Sequence, residues 1–135
     1  MRKLIVIAAF ATLILNAAQA DPEQALWSAL KRALTSDNGD LYFETHVRNC
    51  ELPRLKGVVT TAVMNEGVSK IVLAMSDTDI PEVTLIVHQG NVKLRKPKPG
   101  SEIEFSGEAV DFTKGPFMLT FDVPIANVKE LGRDH

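Results

Sequence analysis

Cysteine occurs once in these 135 residues, at Cys50, and tryptophan and tyrosine occur once each. A lone cysteine excludes an intrachain disulfide, so packing must hold the fold together. It leaves an interchain bridge as the one disulfide open to the chain, and Arg48 and Arg54 lie close enough in sequence to favour a thiolate. The commoner fate of a free cysteine is burial as a small apolar residue. Aromatic residues make up 6% of the chain, which gives few exposed rings for stacking single-stranded nucleic acid. There is no excess of positive charge either. The 15 Lys and Arg face 17 Asp and Glu, and that balance weighs against nucleic acid as a partner.

Patterns for catalysis and metal binding are missing too. There is no G-x-S-x-G elbow, no HExxH and no Cys/His pairing, and His46, His88 and His135 are widely separated. Asp77-Thr78-Asp79 starts like a calcium loop but lacks the glycine and closing glutamate of an EF-hand, so an ordinary Asp-rich turn accounts for it. Glu102, Glu104 and Glu108 alternate as a solubilising strand face would. The expectation is a protein without metal, cofactor or catalytic residue, and the alternative is a small enzyme with its site in a cleft.

Only one long apolar run exists, Leu4 to Leu15. Arg2 and Lys3 precede it, and Ala18-Gln19-Ala20 follows with small residues where a signal peptidase reads them. The run is shorter than the roughly 18 residues needed to span a bilayer. Residues 1–20 therefore read as a cleavable signal peptide and imply a periplasmic or secreted protein with no transmembrane anchor after cleavage. A cut before Asp21 leaves 115 of the 135 residues, enough for one domain with its own core. It also removes two of the 15 basic residues and no acidic one, shifting the net charge from −2 to −4.

Residues 21–50 form an N-terminal helical segment. Asp21 is a candidate cap, Pro22 takes the first helical position, and Leu26, Leu30, Ala33 and Leu34 recur at helical spacing. Ser36-Asp37-Asn38-Gly39 ends that helix. Asp40 to Cys50 fits a helical period and strand alternation equally, and the Asn-Gly-Asp entry favours a short helix. From Arg54 the period becomes two: Leu55–Met64, Val68–Met75, Val83–Val87, Ile103–Phe105 and Phe117–Val123 read as five strands. Glu82, Thr84 and His88 fall on the outward phase. Gly57 and Gly107 sit where barrel strands often bend, and Pro97 and Pro99 exclude a long helix between the third and fourth strands. The fold expected is mainly β: a five-stranded barrel over residues 51–124, followed by a C-terminal tail, 125–135.

The segments Leu52-Pro53-Arg54-Leu55-Lys56-Gly57-Val58-Val59, Ile71-Val72-Leu73-Ala74-Met75, Pro81-Glu82-Val83-Thr84-Leu85, Gly100 to Gly107 and Pro116 to Phe121 carry a resemblance. Together they resemble an oligonucleotide/oligosaccharide-binding (OB)-like domain of a poorly characterised group of bacterial exported proteins, where it stands alone or follows tetratricopeptide repeats. The plan of signal peptide and single barrel is similar to that of small periplasmic OB-fold proteins. The resemblance implies a fold and brings no activity or catalytic residue.

One concentration of charge remains. Lys93, Arg95, Lys96 and Lys98 lie within six residues of a proline-stiffened loop. They are the candidate ligand-binding residues, suited to an anionic polymer, a lipid headgroup or an acidic partner. A solvated, proline-stiffened loop accounts for them more simply. The function expected is a non-catalytic binding or interaction module, with an envelope protein or glycan as partner; the alternatives are the small cleft enzyme or an anion or nucleic-acid binder acting through the basic loop 93–98.

Overall fold

The structure, a computed structural model, describes residues 22–131. The expected signal peptide, Asp21 and His135 lie outside the described residues.

Helix α1, Pro22–Thr35, buries Leu26, Trp27, Ala29, Leu30 and Leu34 on one face. Its last turn is closed by side chains, with Thr35 Oγ1 donating to the Lys31 carbonyl and Ser36 Oγ to that of Ala33. The ambiguous segment after it is helical. A single turn α2, Gly39–Tyr42, runs into a π-helical turn, Phe43–Val47. There the Arg48 amide reaches the Phe43 carbonyl at 2.7 Å, and Phe43 and Val47 enter the core.

Seven strands follow: β1 Leu55–Val63, β2 Gly67–Ala74, β3 Pro81–Gly90, β4 Glu102–Phe105, β5 Glu108–Lys114, β6 Phe117–Pro124 and β7 Val128–Glu130. They form one sheet in the order β5-β6-β3-β2-β1-β4-β7, antiparallel except for the parallel β3–β6 pair. The fold is mainly β, as expected, and the expected five-stranded barrel is corrected on two points among the described residues. The strand count is seven, and strand pairing does not close the sheet.

The extra strands have local causes. After Phe105 the chain leaves β1 at Ser106 and Gly107, and Glu108 onward pairs with β6. Gly107 makes this possible, because a Cβ there would overlap the Asp122 carbonyl. Past Pro124 the expected tail forms a 3-10 turn and then β7, with Val128 opposite Phe105. β4 lies toward one end of the strand order and β5 at the other, yet two residues join them. The sheet must therefore curl strongly.

Curling brings one face of every long strand inward. Leu85 and Val87 of β3 and Leu119, Phe121 and Val123 of β6 are fully buried with Ile71, Leu73 and Ile103. Helix α1 covers the end where the β2–β3 turn meets the start of β6, and Trp27 lies edge-on to Phe117 at 5.9 Å. Residues 49–52 run along β5: Asn49 N donates to Ala109 O, and Leu52 N to Gly107 O. The start of that strand edge, at Glu108 and Ala109, is thereby occupied and closed to pairing with another chain.

Candidate ligand-binding site

The end of the sheet opposite α1 is built from the β1–β2 turn and the loop leaving β3. Gly67, at φ +80°, makes the turn possible and faces Gly90 across the ladder. Beneath the turn Ser69 Oγ donates to Gln89 Oε1 at 2.6 Å, and Gln89 Nε2 donates to the Val92 carbonyl at 3.1 Å. Both side chains are buried. This pair ties the turn to the loop, and Gln89 belongs to the lining of a cleft of about 750 Å³ formed by Met64–Gly67 and Gln89–Leu94.

Beyond the cleft the loop is strapped rather than helical, as its prolines require. Leu94 packs on the core and Pro97 is buried. Gly100 N donates to Val59 O, Val59 N to Ser101 O, and Ser101 Oγ to the Lys98 carbonyl at 2.6 Å. With the apolar residues turned in, Lys93, Arg95, Lys96 and Lys98 all face solvent. Lys93 stands on the cleft wall, and the other three continue the charge away from it. Among the described residues no carboxylate forms an ion pair with any of the four. Lys31, Arg48, Arg54 and Lys56, in contrast, each sit in a salt bridge.

A second cleft of about 230 Å³ lies across the sheet, lined by Glu51, His88, Gly107, Glu108, Asp122, Pro124 and Asn127. His88 Nε2 stands 3.3 Å from Asp122 Oδ1, and both side chains are about half exposed. The lining holds no hydroxyl or thiol, so it has no side-chain nucleophile for His88 to activate. Among the described residues no group of three or more His, Cys, Asp or Glu is placed to hold a metal ion.

Two outward readings are corrected. Glu82 is buried and accepts from Lys31 Nζ at 2.7 Å, and Glu104 is mostly covered beneath Arg54. The Asp-rich turn is likewise committed to the fold: Asp77 accepts from Trp27 Nε1 at 3.1 Å and from Lys31 at 3.0 Å. Nothing in the local sequence signals these contacts, which bridge about fifty positions. The Ser69–Gln89 pair was missed for the same reason; two polar residues on the inward phase of facing strands were its only trace.

No protein-family model matches this chain, and no curated protein matches it. Among the described residues no helix is long and apolar enough to cross a membrane.

Proposed function

We propose that this chain is an exported, non-catalytic binding module with an OB-like β domain, and that it holds an anionic ligand at the end formed by the β1–β2 turn and the basic loop. One observation carries the reading: a cleft of about 750 Å³ with Lys93 on its wall adjoins a loop whose four exposed cations form no ion pair with a carboxylate among the described residues. Exposed cations not engaged in ion pairs are open to anions, and the field of a cluster outreaches that of a single group. Export rests on the features of residues 1–20. The OB-like reading is supported by the β1-β2-β3 meander, the parallel β3–β6 pair, and β4 and β5 as two halves of one bent strand.

Titrating the chain from Asp21 onward with dextran sulfate, followed calorimetrically, tests this. Binding is expected to weaken steeply with added salt, and by at least roughly tenfold when Lys93, Arg95, Lys96 and Lys98 are all replaced by Ala. Affinity that ignores both changes excludes the site. The enzyme alternative centres on the His88–Asp122 cleft; substrate turnover abolished by His88→Ala would replace the binding reading.

A further inference from the structure

Three aliphatic side chains are exposed at the same end of the sheet as the basic loop. Val63 ends β1, Val68 opens β2 and Val92 follows β3, and they are 54%, 42% and 55% exposed. The half-buried Met64 and Leu94 line the cleft together with Val92. Lys70 adds a fifth exposed cation, opposite Val63 in the ladder, while Glu66 is the one carboxylate on the cleft. A soluble polyanion satisfies the cations but offers the valines nothing apolar. An anionic bilayer surface supplies both partners at once, phosphate charge at headgroup level and acyl chains just beneath it.

The remaining charge is divided: Asp122 and Glu108 continue the cross-strand row of Val63 and Lys70 through Ile86, while Asp77 and Asp79 lie at the far end. β2 runs its eight residues, about 25 Å, from the basic end to the turn that carries Asp77 and Asp79. Those carboxylates stand several Debye lengths from a surface met by the basic end.

We infer that this end of the domain docks on anionic phospholipid surfaces, with Lys93, Arg95, Lys96 and Lys98 on headgroup phosphates and Val63, Val68 and Val92 entering the interface. The inference rests on the anion-binding reading above and names its partner. Its test uses the chain from Asp21 on, which carries every described element and lacks the Leu4–Leu15 run that would enter vesicles by itself. Co-sedimentation is measured with phosphatidylcholine vesicles, with and without phosphatidylglycerol, and dextran sulfate binding is measured in parallel.

Binding is expected only to the phosphatidylglycerol vesicles. It should fall roughly a hundredfold or more when the four loop cations become Ala. Replacing Val63, Val68 and Val92 by Ser should weaken vesicle binding about tenfold and leave dextran sulfate binding unchanged, with unaltered circular dichroism as the control for folding. Dextran sulfate binding without vesicle binding overturns the membrane inference and leaves the anion-binding reading standing. Binding to neither overturns both. Vesicle binding that survives the serine replacements overturns the choice of a membrane over a soluble polyanion.

Discussion

Lys31 Nζ donates to Glu82 Oε1 at 2.7 Å, joining helix α1 to the start of strand β3 across 51 positions of sequence. Only a quarter of the Lys31 side chain and a tenth of the Glu82 side chain remain exposed. Asp77 accepts from the same ammonium and from the Trp27 indole, so one cation secures the helix at two points. Lys31→Met should cost about 1–3 kcal/mol, mostly because Glu82 is left buried without its partner. Lys31→Met combined with Glu82→Leu should cost less than the sum of the two single changes. Urea unfolding of the three variants measures this, and strict additivity would mean that the pair is not coupled.

The same contact sets a pH dependence. Burial opposes ionisation of Lys31, but hydrogen bonds to Glu82 and Asp77 outweigh it, so its pKa lies above the ordinary 10.5. A pKa higher in the folded than in the unfolded chain means that the folded state holds the proton more tightly. The contribution is therefore complete below 10.5 and is lost as pH rises through the folded value. The stability gap between the native chain and Lys31→Met should be constant from neutral pH to about 9 and should narrow above the ordinary lysine range. A gap that widened with rising pH would contradict the sign.

This clasp marks the boundary of what the sequence makes legible. Period-two alternation located the cores of five strands because each has one buried face, and Phe105, Leu119, Phe121 and Val123 do point inward. Alternation says whether a residue lies in phase and not what stands above its outward face. Glu82 is out of phase and still buried, because α1 lies over the end of the sheet where β3 begins. The break at Gly107 was visible as a glycine, but whether it bends a strand or divides one depends on the Asp122 carbonyl fifteen residues away. β7 has only three residues, too few for a period. The basic loop was plain as composition; the cleft beside it depends on the Ser69–Gln89 pair and on Gly67 meeting Gly90.

Phe105 and Phe121 meet edge to face, their ring centroids 5.2 Å apart, and both are almost fully buried. They link β4 to β6 through the interior, two strands that do not pair. Either residue replaced by Ala should cost about 3–5 kcal/mol in denaturant unfolding, the usual range for truncating a buried aromatic. A loss below about 1 kcal/mol would show that the curled sheet closes over the cavity with little strain.

Gly107 and Gly57 both stand where an added Cβ is crowded, but the obstacles differ. At Gly107 it is the Asp122 backbone carbonyl, which can move only if β5 separates from β6. At Gly57 the nearest atom is the Met75 sulfur at 2.9 Å, the end of a flexible side chain. Gly107→Ala should therefore cost about 1–3 kcal/mol and Gly57→Ala clearly less, as read from the shift in thermal midpoint. The reverse ranking would mean that the Ser106–Gly107 joint is loose.

Cys50 is completely buried within the 49–52 segment that runs along β5, and its own carbonyl accepts from the Ala109 amide at 3.4 Å. Exposing the thiol requires residues 49–52 to lift off that strand and Val47 and Leu52 to leave the core with it. A chromogenic aryl disulfide should thus react with the native protein at least roughly a hundredfold more slowly than with the protein in urea, because the rate follows the population of the opened state. Air oxidation of the folded chain should accordingly produce no disulfide-linked dimer on non-reducing gels. Labelling of the native chain at the rate seen in urea would show that the 49–52 segment opens freely, and the shield over β5 would then be only transient.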